Sequence, residues 1–260
     1  MPELPLEIHA DPRAAARALA REIALLVRAK PDCVLGLATG RTPVPLYDEL
    51  ARLVREEGLS LVRVRCFNLD EYLDLAPGDP RSFRAWIEAQ LVRRTDLRPE
   101  NVNLPRGGLA PEAAEREAER YAQSIVAAGG IDLQIAGIGR NGHIGFNEPG
   151  SGRDSRARVV ELAQSTRADA AAAFGGLEHV PRRAITLGLS EILAARAIRV
   201  LAFGAGKAAI VARLLREQPS AELPASLVRG HPAARLVLDR EAAGALPAPQ
   251  AGASDAGRRS

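Results

Sequence analysis

Residues 131–151 read IDLQIAGIGRNGHIGFNEPGS. The first eight, 131–138, form an apolar run of strand length that empties into glycines at 137, 139 and 142, the signature of a buried strand ending in a tight loop. The loop contains a literal G-x-G-x-x-G, and Glu161 follows about 20 residues on, so a dinucleotide site has to be weighed. Such a site needs a helix to begin at the loop. Pro149-Gly150-Ser151-Gly152 follows too soon to leave room for one. What the loop offers instead is His143, with Asn141 two residues before it and Glu148 five after. A carboxylate near an imidazole nitrogen fixes the tautomer and raises the basicity of the ring. A hydrogen-bonded structural histidine is the plainer alternative, but the crowding of glycines and an acid around His143 favours a functional one.

Working outward, further short apolar runs lie at 33–38 (CVLGLA), 64–69 (VRCFNL), 198–203 (IRVLAF) and 235–239 (RLVLD). Helical spacing separates them. Asp11 is placed to cap a helix with Pro12 at its first position, carrying Ala16, Leu19, Ala20, Ile23 and Val27 on one face. Pro43 opens a second helix, and 81–93, 111–128 and 207–217 read as three more. Residues 139–183 read as mixed, polar and turn-rich, with an alanine run at 170–173. Strands alternating with helices of this length predict an α/β fold with a mostly parallel sheet. No linker divides 1–243, which is read as one domain; 244–260, rich in Pro, Gly, Ala and Ser, reads as a flexible tail.

Composition narrows the function. The chain has 260 residues, 47% of them hydrophobic, enough for a core that needs no staples. Thirty-five basic against 32 acidic side chains give +3, interspersed, with only 3% aromatics. A nucleic-acid surface with stacking aromatics is not supported. No apolar run approaches the roughly 18 residues that span a bilayer, and MPELPLEIHADPR lacks the features of a secretory signal, so no membrane partner is expected. Cys33 and Cys66 sit in apolar runs and cannot frame a chain this size, which points to buried reduced thiols and a cytoplasmic location. The scattered histidines and cysteines give no zinc spacing, so no metal is expected; nor is there a G-x-S-x-G elbow. Only two lysines occur, Lys30 and Lys207.

In a parallel sheet, ligands meet the loops at the carboxyl ends of the strands. Four loops there carry unusual chemistry. Thr39-Gly40-Arg41-Thr42-Pro43 joins a strand to a helix start, where free N–H groups and the helix dipole suit a phosphate; an ordinary turn with a Thr cap is the alternative. Lys207 at a helix start opposes the dipole unless an anion lies near. Asp70-Glu71 ends a buried strand in two carboxylates, one of which can serve as a base if burial raises its pKa; a helix cap is the plainer use. The fourth loop is the one around His143.

LGLATGRTP (35–43), FNLDEY (67–72), GIGRNGHIGFNEPGS (137–151) and PASLVRGHP (224–232) resemble the glucosamine-6-phosphate deaminase/isomerase family, in order over roughly 33–240. The resemblance implies a Rossmann-like three-layer α/β domain and conversion of glucosamine 6-phosphate and water to fructose 6-phosphate and ammonium, with no cofactor. It implies Asp70 as the base moving a proton between C2 and C1, His143 as the ring-opening acid/base with Asn141 and Glu148 as its partners, and Thr39, Gly40, Thr42 and Lys207 as phosphate contacts. Three departures stand out. Arg41 replaces a small residue. The family's phosphate-clamping arginine falls in Ala170–Ala173, where none remains, leaving Arg41, or else Arg167, Arg182 or Arg183, to supply the charge. Val160 replaces a lysine of the allosteric members, although Arg158 is retained. A lactone hydrolase of the 6-phosphogluconolactonase type and a non-catalytic sugar-phosphate sensor are the competing functions. Homo-oligomerisation stays open.

Overall fold

The computed structural model describes residues 4–247. Seven strands build a fully parallel sheet: β1 (Leu6–His9), β2 (Val34–Leu37), β3 (Arg65–Asn68), β5 (Val102–Asn103), β6 (Leu133–Gly137), β9 (Ile198–Ala202) and β10 (Ala234–Asp239). Their order is β1-β10-β9-β6-β2-β3-β5. Helices α1 (Pro12–Ala29), α2 (Val44–Glu57), α3 (Phe83–Gln90), α4 (Pro111–Ala127), α5 (Gln164–Phe174), α6 (Leu189–Leu193) and α7 (Ala208–Arg216) flank it in a three-layer, Rossmann-like α/β arrangement. The expected strands and helices are present with ends shifted by a few residues; the segment expected as one helix over 81–93 breaks into α3 and a 3-10 turn at Val92–Arg94. Asp11 caps α1 as expected, its Oδ1 accepting from the Ala14 N–H at 2.8 Å with Pro12 at the helix start. No helix among the described residues is long and apolar enough to cross a membrane.

The strand order has a reversal. From β2 the chain steps outward through β3 to β5, then returns to lay β6 on the other side of β2 and steps outward through β9 and β10. The crevice at such a switch point, at the carboxyl ends of the strands, is where α/β sheets bind ligands. β2, β6 and β9 are almost wholly buried, as central parallel strands must be. Gly36 pairs with Gln134 across the β2–β6 junction. A Cβ at Gly36 would lie 2.1 Å from Gln134 Oε1, and Gln134 is fully buried. Two tyrosines then tie down strand ends: Tyr47 of α2 donates to the Ala38 carbonyl at 2.6 Å, and Tyr121 of α4 to those of Asn68 and Asn103 at 2.8 and 3.0 Å.

Residues 139–183, expected as mixed, polar and turn-rich, hold regular elements that this reading did not place. They hold β7 (Arg158–Glu161) and α5, and β8 (Arg183–Thr186) begins at their end. With β4 (Asp70–Tyr72) these strands form a second sheet, antiparallel, in the order β4-β8-β7. Its core is aromatic. Phe83, Phe146 and Phe174 gather round Tyr72, with centroids 4.6, 5.5 and 5.3 Å from its ring. A chain poor in aromatics concentrates them here, in a small cluster separate from the main core. Most of the stretch expected as a tail lies outside the described residues; Gly244 closes a turn onto the Glu241 carbonyl and Leu246 packs against the main core.

The Gly36–Gln134 contact leads to a stability test. Gly36→Ala should lower the unfolding free energy by about 1–3 kcal/mol through overpacking. Adding Gln134→Ala should recover most of that loss, because the two side chains compete for one space. Urea titrations of the single and double variants measure both effects, and additive losses would show that the strands do not meet through this contact.

Candidate active site

The four loops singled out in the sequence leave β2, β3, β6 and β9, which are neighbours at the switch point. After β6 the chain makes a close loop: the Gly142 N–H reaches the Gly139 carbonyl at 3.0 Å, and the Gly139 N–H reaches that of His143 at 2.9 Å. The His143 ring folds over Gly139. A Cβ there would stand 2.3–2.5 Å from ring atoms Cε1, Nδ1 and Nε2, so only glycine leaves the ring its place. No helix follows, in keeping with the rejection of a dinucleotide fingerprint.

Glu148 is the hub of this loop. Its Oε2 lies 3.5 Å from His143 Nδ1 and accepts from Asn141 Nδ2 at 2.7 Å. Its Oε1 accepts from the Thr166 hydroxyl at 2.6 Å and from the Ala163 N–H at 3.3 Å. The Asn141 side-chain Oδ1 accepts from the His143 backbone N–H at 3.1 Å. Burial works against the Glu148 charge, but the hydrogen bonds from His143, Thr166 and Asn141 outweigh it and hold the carboxyl at about 2. Glu148 is therefore a fixed anion at neutral pH. Thr166, also 3.3 Å from His143 Nδ1, was not among the residues expected from the sequence. It comes from α5, and no spacing in the sequence announces a contact across 18 residues of loop and strand.

The adjacent acids of β4 divide their roles. Glu71 is a cap: its carboxylate accepts the N–H groups of Tyr72, Phe83 and Arg84 at 2.8–2.9 Å, closing the start of α3. Asp70 is the free one. It is 6% exposed, and its Oδ2 faces Gly145, two residues from His143. Burial and the neighbouring Glu71 charge push its pKa up to about 8, against one opposing hydrogen bond from the Phe146 N–H. A carboxyl poised near neutrality, rather than near 4, can both take and return a proton.

The remaining two loops supply positive charge and donors. Gly40 adopts φ of 91° with nothing within 4 Å of a Cβ position, and α2 begins without a side-chain cap. The N–H groups of Gly40, Arg41 and Thr42 and the Thr39 and Thr42 hydroxyls make no hydrogen bond among the described residues. Lys207 Nζ donates to the Ile138 carbonyl at 2.7 Å, bringing the β9 loop to the β6 loop. Burial lowers the Lys207 pKa, and Arg140 and then Arg41 lower it further, so three cations converge. The backbone around Lys207 is a less open anion site than its sequence suggests. The Gly204 N–H is held by Asp239 at 3.0 Å and the Ala205 N–H by Glu241 at 3.3 Å, which leaves the lysine ammonium and the Gly206 N–H as the contribution of this loop.

Arg140, in the middle of GIGRNG, was missed as well, although its place between the strand end and His143 is a readable signal. It forms an ion pair with Asp169 of α5. Two of the other arginines considered for the missing clamp are engaged elsewhere: Arg167 donates to the Leu177 and Val180 carbonyls, and Arg183 pairs with Asp74 at 2.7 Å.

Known proteins share the sequence and fold of this chain. The profile of the family described as glucosamine-6-phosphate isomerases/6-phosphogluconolactonase matches residues 10–237. Glucosamine-6-phosphate deaminase 1 of Giardia intestinalis is 46% identical over 244 residues, covering 93% of this chain and 90% of the relative. The glucosamine-6-phosphate deaminase of Hahella chejuensis is 45% identical over 236 residues, 91% of this chain and 89% of the relative. Among solved structures, a monomeric glucosamine-6-phosphate deaminase superposes with a TM-score of 0.90 at 38% identity, over 93% of this chain and all of that one. A 6-phosphogluconolactonase from Trypanosoma brucei shares the fold, with a TM-score of 0.74 at 23% identity over 94% and 99% of the two chains. Full-length similarity of this order, together with the loops that meet at the switch point, makes the chain a member of the glucosamine-6-phosphate isomerase/6-phosphogluconolactonase family.

Proposed function

We propose that this enzyme is a glucosamine-6-phosphate deaminase, converting glucosamine 6-phosphate and water to fructose 6-phosphate and ammonium. The observation that carries this reading beyond family membership is Asp70, a buried carboxyl near neutrality that no side chain pairs with among the described residues. Moving a hydrogen from C2 to C1 of an open-chain sugar needs such a group. Opening a lactone with water needs no carbon-bound proton to move, and a sensor needs no base.

His143 handles the earlier step. Glu148, fixed as an anion beside Nδ1, favours a proton on that nitrogen and leaves Nε2 to exchange one with the sugar oxygens as the pyranose opens. Asp70 then takes the C2 proton, giving an enolamine, and returns it to C1. The product is the imine of the ketose, which water hydrolyses to the ketone and ammonia. Thr39, Gly40, Arg41, Thr42 and Lys207 anchor the phosphate, so that its binding energy positions C1 and C2 against Asp70. Residues 1–243 are read as one domain that carries the whole site. Two buried thiols, with Cys33 pushed up to about 11 by burial and Cys66 raised further, suit a reducing cytoplasm. Ammonium release from glucosamine 6-phosphate, with loss of the C2 label from C2-deuterated substrate, tests the function. Hydrolysis of 6-phosphogluconolactone without either signal would replace it with the lactonase reading.

Asp70→Asn keeps the shape and removes the base. Turnover should fall by about 10²–10⁴-fold. The same substitution has a second readout. Between the ordinary carboxylate pKa and about 8 the folded chain holds a proton on Asp70 that the unfolded chain releases, so wild-type stability falls as pH rises through that window. The variant lacks that slope, and its melting temperature should exceed that of the wild type at pH 9. In the wild type, kcat/KM should climb between about pH 7 and 9 as Asp70 ionises. A climb centred near pH 4 would remove Asp70 from the role.

Gly139→Ala should push the His143 ring off its seat and lower kcat by roughly 10²-fold, with circular dichroism unchanged. Kinetics close to wild type would mean that the ring position does not matter.

Arg158 is occupied within the chain, donating to Asn147 Oδ1 at 3.1 Å and to Ser151 Oγ at 2.9 Å, and Val160 adds no cation beside it. N-acetylglucosamine 6-phosphate should therefore leave KM unchanged and the saturation curve hyperbolic; a clear activation would contradict this.

A further inference from the structure

Arg140 and Asp169 form an ion pair at the rim of the site that the chemistry described so far does not use. Arg140 follows the Ile138 carbonyl, to which Lys207 donates, by two residues, and directly precedes Asn141, which holds Glu148. Its guanidinium reaches across to Asp169, one helical turn beyond Thr166 on α5. Both side chains are solvent-accessible, 64% and 36% exposed. An ion pair this exposed contributes little, so it is easily exchanged for a better partner. The surroundings favour such an exchange. Arg140 acts on the Lys207 charge more strongly than Arg41 does, so its guanidinium stands in the same positive field that the phosphate loop faces. In the free protein the Asp169 carboxylate relieves the crowding of three cations. A phosphate dianion between the Thr39–Thr42 loop and Lys207 would do so more fully, and would offer the fork of Arg140 two oxygens at once.

We propose that Arg140 is a phosphate-binding residue of this enzyme, with Asp169 as its resting partner, displaced when the sugar phosphate enters. The inference rests on the phosphosugar reading of the site and adds to it a guanidinium from the β6 loop, where the alanine run of α5 offers none. Asp169 acts as a competing anion built into the chain: it keeps Arg140 ordered over the loop and sets a threshold that a single weak anion does not cross.

The test measures binding of fructose 6-phosphate and of unphosphorylated fructose by calorimetry, alongside ammonium release. Arg140→Gln should weaken fructose 6-phosphate and raise KM for glucosamine 6-phosphate by roughly 10-fold, while leaving fructose as weak as before. Asp169→Asn should do the reverse, tightening fructose 6-phosphate and lowering KM by about two- to fivefold, the worth of an exposed pair. In the double variant the Asp169→Asn gain should vanish. Unchanged fructose 6-phosphate affinity in Arg140→Gln overturns the proposal. An Asp169→Asn variant that binds no better, or worse, overturns the role of Asp169 as competitor. Wild type that binds fructose 6-phosphate but releases no ammonium would count against the deaminase reading alone, since the binding arms do not depend on turnover.

Discussion

The approach of Gln134 to Gly36 sets the register of the two strands on which everything else depends. β2 and β6 are the pair at which the strand order reverses, so their ends open into the crevice rather than onto a neighbouring strand. A slip of one residue would exchange the two faces of a strand and rotate the loop that follows it. A fully buried Gln side chain fits against β2 only where a glycine leaves room, and that single fit holds the Thr39–Thr42 loop beside the His143 loop. The tyrosine hydroxyls at Ala38, Asn68 and Asn103 then fix the carbonyls just before the chain turns, so the loops begin from positions that do not drift.

On that frame the protein keeps three carboxyls in three different states. Glu71 is buried and accepts three backbone N–H groups, which makes it structural. Glu148 is half-buried but surrounded by donors, and stays ionised far below neutrality. Asp70 is buried with one opposing hydrogen bond and an acidic neighbour, and titrates near 8. Desolvation raises all three; in Glu71 it outweighs three backbone N–H donors, in Glu148 the side-chain donors and the His143 charge outweigh it, and Asp70 has little to set against it. The carboxyls Asp70 and Glu148 lie on the β4 and β6 side of the crevice, and Arg41 and Lys207 stand at the mouths of β2 and β9, with Arg140 of the β6 loop beside Lys207. A sugar phosphate can therefore lie with its anion at one end and its reacting carbons at the other.

The parallel sheet was legible because its strands are continuous apolar runs with glycine at their ends, and the pairing of His143 with Glu148 was legible because both lie in one short loop. The second sheet was not. Asp-Glu-Tyr at 70–72 looks like a turn, and only partners more than 100 residues away make it a buried strand. Arg-Val-Val-Glu at 158–161 has no alternation to read. Which of Asp70 and Glu71 is left unpaired cannot be read from the two residues themselves, only from the resemblance, since it depends on Phe83 and Arg84 offering their N–H groups to one and not the other. The sequence is equally silent on Asp239 and Glu241, 35 or so residues beyond the Gly204–Lys207 turn, which take its Gly204 and Ala205 N–H groups.

The composition of α5 has a mechanical consequence. Only Thr166 and Phe174 are buried along its length, one near each end, and the turns between them are surfaced largely by alanine methyl groups. Such a rod has small knobs, Ala170 and Ala171 resting on the aromatic cluster, so its two buried ends locate it more than a seam does. The two ends are unlike. Phe174 sits among aromatic rings, a contact that strengthens on warming from low temperature and tolerates salt. Thr166 rests on an ionised carboxylate, a contact that depends on the charge of that acid and not on the amount of surface covered. The far end of the helix is thus a bearing, and the end over His143 is a catch whose grip the chemistry beneath it can change.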